Sequence, residues 1–245
     1  MERKNFLKSL MIGAVTSSVL IDACSKDSDV SPTDSSSSSS GTTSSSGSSG
    51  TSSCSVVPTE TEGPFPTHTP ASYVRSDITD GRTGYKLTIK ITINNSNNSC
   101  NALANALVDI WHCDSEGNYS EYGGTAMQST NYTSVHFLRG RQTTDSSGLV
   151  TFTSIFPGWY SGRATHIHVH VYNSSGTSLK VTQIAFPEGS GSAVTAVNGY
   201  QKGLTGYTYN AQDNVFSDGY SLELATVTGN TTDGFNLSIS LSVPA

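Results

Sequence analysis

From Tyr85 onward apolar and polar residues alternate, with Tyr85, Leu87, Ile89, Ile91 and Ile93 on one face and Lys86, Thr88, Lys90 and Thr92 on the other. A period of two marks a half-buried strand, because successive side chains of a pleated backbone point to opposite sides. The alternation returns at 150–155, 166–172, 179–186 and 220–227, and most strongly at Phe235, Leu237, Ile239, Leu241 and Val243, where Asn and Ser fill the positions between. Turn-forming clusters separate these runs: Asp145-Ser146-Ser147-Gly148, Asn173-Ser174-Ser175-Gly176, Gly229-Asn230 and Asp233-Gly234. No stretch sustains a helical period, although 193–202 can hold a turn or two. Short strands without helical crossovers predict an all-β fold, an antiparallel β-sandwich.

Composition narrows the class. With 245 residues, 13% of them charged, 34% hydrophobic and 23 glycines, the chain is no collagen, coiled coil or polytopic membrane protein. The net charge is −6 and no basic run follows the first eight residues, so nucleic acid is not expected as a partner. Residues 35–53 are Ser, Thr and Gly only, which leaves 54–245 as one domain with a sizeable core.

The first 23 residues carry Arg3, Lys4 and Lys8, an apolar stretch of about a dozen residues and then Asp22-Ala23-Cys24. That stretch is too short for a permanent span and predicts a signal segment. Ala23-Cys24 resembles a lipoprotein cleavage site, although Asp22 is unusual there. Arg3-Lys4-Asn5-Phe6-Leu7-Lys8 resembles a weakened twin-arginine export signal. Two outcomes stay open: a lipid anchor on Cys24 in the bacterial cell envelope or at the cell surface, or plain secretion. Residues 24–53 then serve as a Ser-rich flexible tether. Export permits disulfides among Cys54, Cys100 and Cys113. If 108–113 is a strand, Cys100 and Cys113 lie near its opposite ends, which favours a Cys54–Cys100 bridge.

Thr165-His166-Ile167-His168-Val169-His170-Val171 places three imidazoles on one face of a strand. Alternate positions are about 6.6 Å apart, a gap that two imidazoles close by converging on one ion. His170 lies a further step away and is expected beside such a site or at the surface. The plain alternative is a strand whose histidines are merely polar.

Upstream stand Thr61-Glu62-Gly63-Pro64-Phe65, Trp111-His112-Cys113-Asp114, Gly117-Asn118-Tyr119-Ser120, Phe137-Leu138-Arg139-Gly140 and Pro157-Gly158-Trp159-Tyr160, with Thr182-Gln183-Ile184 downstream. This ordered set of blocks resembles the intradiol ring-cleavage dioxygenases, the catechol and protocatechuate group, and within it a secreted, lipoprotein-like branch. The resemblance implies a non-haem Fe(III) site of Tyr119, Tyr160, His166 and His168. Phenolates are hard, strongly donating anions and favour Fe(III), and with hydroxide they neutralise its charge. It implies that Arg163 stabilises developing negative charge, that Gln183 lines the substrate pocket, and that a catechol displaces one tyrosinate, Tyr160 or Tyr119, which then takes a catechol proton. The expected partners are an aromatic diol and dioxygen, and the product is a muconate-type diacid. For Arg163 the plain alternative is a surface arginine paired with a carboxylate.

Two features depart from the better-known enzymes. The segment between Tyr160 and His166 is short, which opens the pocket to bulky catechols, and the helical N-terminal region with which catechol dioxygenases dimerise is missing. Two other classes remain in view: a carbohydrate-binding or adhesion sandwich with Trp111 and Trp159 as stacking platforms, and a zinc or copper site on His166, His168 and His170.

Overall fold

The computed structural model describes residues 54–245. The expectations for the signal segment 1–23, for Cys24 and for the tether 24–53 fall outside the described residues.

In chain order the strands are β1 (Lys86–Asn95), β2 (Asn101–Ala102), β3 (Leu107–Trp111), β4 (Arg139–Thr143), β5 (Leu149–Ile155), β6 (His166–Tyr172), β7 (Ser178–Ala185), β8 (Thr226–Asn230) and β9 (Gly234–Val243), and the α-helix is α1 (Ala193–Val197). They form two sheets. One runs β2-β1-β9-β8, with β5 also on β1, and the other runs β4-β3-β6-β7. All pairings are antiparallel except β1 with β9, which is parallel over Leu87–Asn95 and Phe235–Val243.

The alternating runs account for the core. Ile89, Ile91, Phe152 and Leu237 of the first sheet and Val108, Ile110, Ile167 and Val169 of the second belong to one buried cluster. Apolar area removed from water on this scale, at about 25 cal/mol per Å², is the main term holding the sheets face to face. Cys54 is bonded to Cys100, and Cys113 is free and buried.

Two features differ from the reading of the pattern. The expected strand at 220–227 begins only at Thr226. Before it the chain turns, Glu223 is fully buried, and Leu224 makes an isolated bridge to Ala185. Here the buried carboxyl's hydrogen bonds to Thr182 and Gln183 replace a regular ladder. Strand β4, Arg-Gly-Arg-Gln-Thr, has no apolar alternation. Arg139 and Arg141 on it pair with Glu121 and Asp109 instead.

The second sheet is buried on both sides. On β6, Ile167, Val169 and Val171 enter the core, while His166, His168 and His170 point the other way and are buried too. What covers them is not a third sheet but the segment 61–65, the long β3–β4 connection and the β5–β6 connection.

Candidate active site

The site is built on the outer face of β3, β6 and β7. Trp111 on β3 and Gln183 on β7 are the register partners of His168. The Trp111 ring stacks on His168 with centroids 4.8 Å apart and planes 2° from parallel, which fixes the imidazole plane. His166 Nδ1 lies 2.6 Å from the Ala164 carbonyl. That partner requires the Nδ1 proton, so Nε2 presents its lone pair.

Around His166 Nε2 stand Tyr119 Oη at 3.2 Å, His168 Nε2 at 3.2 Å and Arg163 Nη1 at 3.4 Å. Tyr160 closes the fourth side, its ring 5.7 Å from His166 and 5.8 Å from Tyr119, centroid to centroid. One lone pair cannot serve all these neighbours. Two neutral imidazoles and the Tyr119 phenol within 3.2 Å of one nitrogen, with the Tyr160 ring beside them, are donors a cation would satisfy. Imidazole nitrogens bound at ~2.0–2.1 Å to a single ion also sit about this far apart. The donor set therefore fits a hard trivalent metal.

The electrostatics agree. Burial, then Arg163, holds His166 well below the usual imidazole range, and burial, then His166, does the same for His168. Burial, then Tyr160 and Cys113, raises the Tyr119 phenol well above its ordinary value; burial raises Tyr160 also, opposed by Arg163. Neutral imidazoles are ready to ligate, whereas the phenols need a cation to ionise.

The loops reach this geometry through close backbone approaches. Gly117 has φ of +90° and a side chain there would meet the Trp159 carbonyl at 2.3 Å, so only glycine lets the Tyr119 and Tyr160 loops pack. Gly63, at φ of +69°, lies against the His168 ring. Phe65 stacks on Tyr119 at 4.8 Å and shields it from water.

The structure brings Arg163 and Gln183 to the site. Arg163 is buried and does pair with a carboxylate, Asp213, at 2.8 Å, while Nη2 donates to Gln183 Oε1 at 2.5 Å. Gln183 Nε2 donates in turn to the Thr61 carbonyl at 2.8 Å. His170 stays outside: Nδ1 is 2.9 Å from Glu62 and Nε2 is 2.8 Å from Ser178 Oγ. Among the described residues no three His, Cys, Asp or Glu side chains converge as a metal site. His112 is also apart, bonded to the Cys113 carbonyl and Ser154, and burial pushes it down to about 4. Trp111 and Trp159 are both buried, so neither offers a face for a sugar to stack on.

Two supporting residues, Asp213 and Gln128, escaped the sequence reading, and a third, Arg139, stood in one of its blocks without a role. Asp213 clamps Arg163 Nε and the Ala164 amide. Gln128 is buried and both accepts from the Tyr119 amide, at 2.7 Å, and donates to its carbonyl, at 2.8 Å. Arg139, fully buried, donates to the carbonyls of Ser120 and Phe65, so it joins the Tyr119 loop to the segment 61–65. Neither Asp213 nor Gln128 lies near the histidine strand in sequence, and no local pattern marks them.

The dioxygenase family model matches residues 62–225. An intradiol ring-cleavage dioxygenase from Tetranychus urticae is similar in structure, with 26% identity, a TM-score of 0.67, and 78% of this chain and 95% of that chain covered. The chain belongs to the intradiol ring-cleavage dioxygenases. The fold is shared also with the dioxygenase domain of a dioxygenase and carbohydrate-binding fusion from Streptomyces sp. SirexAA-E (24% identity, TM-score 0.55, 78% and 99% covered). A further likeness in fold is to 3-chlorocatechol 1,2-dioxygenase from Rhodococcus opacus 1CP (18% identity, TM-score 0.52, 77% and 72% covered). No curated protein matches the sequence. As an intradiol dioxygenase the chain carries its candidate donors on β6 and on the loops that cover it.

Proposed function

We propose that this chain cleaves catechol-type rings between the two hydroxyl-bearing carbons, giving muconate-type diacids, with Fe(III) held by Tyr119, Tyr160, His166 and His168. The observation that carries this reading is the convergence of Tyr119 Oη and His168 Nε2 on His166 Nε2, each at 3.2 Å, beside Tyr160. Bound ferric iron would supply a Lewis acid that withdraws electron density from the two catechol oxygens and opens the ring to dioxygen.

The protein's own groups do the rest. Tyr160 is less deeply buried than Tyr119, so it is the phenol that a substrate displaces and that then holds a catechol proton. Arg163 Nη1, beside His166, places fixed positive charge where negative charge develops. Its hydrogen bond to Gln183 and its pair with Asp213 orient the guanidinium before substrate arrives. Phe65 and Trp111 exclude water from the donors. The short 161–165 connection leaves room for substituted catechols.

The chain is further proposed to be exported and anchored by lipid at Cys24, with 54–245 as the catalytic domain. The Cys54–Cys100 bond supports export, because such bonds persist in oxidising compartments.

Metal analysis and a visible spectrum of the purified full chain test the site. About one iron per chain and a red-brown tyrosinate-to-iron band are expected, with the band bleached or shifted in Tyr119→Phe and Tyr160→Phe. Colour unchanged in both variants would show the ligands misassigned. Dioxygen uptake with mass spectrometry of the product tests the reaction, and cleavage beside the hydroxyl-bearing carbons would reject the intradiol course.

A further inference from the structure

β7 is the outer strand of its sheet, and its free edge is covered by two separate pieces of chain. From one side the Glu60 amide donates to the Val181 carbonyl at 3.0 Å. From the other, the Ala185 amide donates to the Glu223 carbonyl at 2.9 Å and the Ala225 amide to the Ala185 carbonyl at 3.0 Å. Between these two contacts, opposite Thr182 and Gln183, no backbone pairs with the edge. A carboxyl side chain, that of Glu223, fills the gap. Glu223 is fully buried, its Oε1 accepting from Thr182 Oγ1 at 2.6 Å and facing the Gln183 amide at 3.4 Å.

Glu60 and Glu223 are each left with a buried oxygen that has no hydrogen-bond partner, Glu60 Oε1 and Glu223 Oε2. A buried carboxylate oxygen without a donor is costly. Two such groups that also repel one another are relieved when at least one carries a proton. Burial, then Glu223 and Asp218, pushes Glu60 up to about 7, and burial pushes Glu223 up to about 7 against its Thr182 and Gln183 donors. The charged groups that act on them are Asp218, Asp213 and Arg163, and Lys180 interacts with Glu223. Lys180 Nζ is turned to Thr59 Oγ1 at 2.7 Å, so it does not neutralise the gap directly.

Gln183 sits at this gap and in the candidate active site at once. Its amide faces Glu223, its Oε1 receives Arg163, and its Nε2 holds the Thr61 carbonyl next to Glu60. We propose that Glu60 and Glu223 are a positioning pair: with a proton on at least one of them they seal the edge of β7 and hold Gln183, Arg163 and the segment 61–65 against the donor cluster. This rests on the proposed function for its catalytic consequence, though not for the proton itself. Neither carboxyl touches a proposed ligand or substrate.

The sign follows from the raised values. Protonation favours the sealed state, so the contribution is fully present below the ordinary glutamate range near 4.5 and is lost as pH rises through about 7. Above that, the two carboxylates repel, and the strap carrying Thr61 and Phe65 loosens from β7.

The test uses the full chain, with Glu60→Gln and Glu223→Gln as variants that keep shape and remove the charge. For the wild type, the thermal midpoint should fall by several degrees between pH 6 and 8.5, and amide exchange at 61–65 and at Gln183 should quicken. In either variant both pH dependences should flatten. Catechol turnover should show the same split, the wild type losing kcat above pH 7 several-fold more than Glu60→Gln, with little change in KM. Wild-type and variant profiles that coincide in midpoint and in exchange would overturn the pair. Stabilisation of the wild type by millimolar calcium, abolished in Glu223→Gln, would also overturn it, since the gap would then be a cation site. Absence of any turnover in iron-loaded protein would count against the proposed function, while midpoint and exchange would still decide the proton.

Discussion

Asp213→Asn isolates the clamp on Arg163. In the wild type the carboxylate accepts from Arg163 Nε at 2.8 and 2.9 Å, from the Ala164 amide at 2.8 Å and from the Val215 amide at 3.0 Å. An asparagine of the same shape keeps one acceptor oxygen and turns an NH2 group toward at least one of those donors. Breaking a buried ion pair from one side costs about 3–5 kcal/mol. Arg163 is 11% exposed and Asp213 is 0% exposed. The guanidinium also keeps Gln183, so the lower end, about 3 kcal/mol, is expected. At ~2–4 °C per kcal/mol for a domain of this size, the thermal midpoint should drop by about 6–12 °C. The guanidinium would then lose its charged anchor and keep Gln183 as its main partner, and a displacement on the order of 1 Å next to the reacting atoms lowers kcat by about 10²-fold. Dioxygen uptake on iron-loaded protein measures kcat and KM. KM should change little, because the loss lies in charge placement and not in ground-state contact. Adding Asp213→Asn to Arg163→Met should lower kcat no further, since the carboxylate acts through the arginine. A folded, iron-loaded Asp213→Asn with kcat within about twofold of wild type would refute the reasoning, and so would additive losses in the double variant.

Other outcomes follow from the same geometry. His168→Ala should lose most of the bound iron whereas His170→Ala should keep it, because His170 is engaged with Glu62 and Ser178; equal loss in the two would favour a three-histidine site. Cys54→Ser opens a bridge across 46 positions, which the chain-entropy picture values at about 4 kcal/mol; a denaturation midpoint that reductant leaves unmoved in the wild type would contradict it. Cys24→Ser should leave an unprocessed precursor or a soluble protein, read by fractionation and mass spectrometry, and wild-type chain found in the cytoplasm with residues 1–23 intact would rule out export.

The alternation of apolar and polar residues by itself determined the strands that face the core, because period two is a local property of extended backbone and burial of one face follows from it. It placed β6 at His166–Tyr172 without error, and the cysteine spacing pointed to Cys54 with Cys100. The ordered motif blocks singled out Tyr119, Tyr160, His166, His168, Arg163 and Gln183; the fold sets Tyr119, His168 and Arg163 within 3.4 Å of His166 Nε2, with the Tyr160 ring beside them and Gln183 bonded to Arg163. Tertiary structure alone decided the rest. The parallel β1–β9 pairing joins strands from opposite ends of the domain, which no local pattern encodes. Strand β4 is held by its place beside β3 and by arginine–carboxylate pairs, so it lacks the signature of a half-buried strand. The burial of the histidine face depends on loops folding over it. The residues that orient the site, Asp213 for Arg163, Gln128 for Tyr119 and Glu223 for Gln183, are 50, 9 and 40 positions from their partners. Their roles come from hydrogen bonds made after the sheets have packed, since a buried polar group must be satisfied by whatever the fold brings to it.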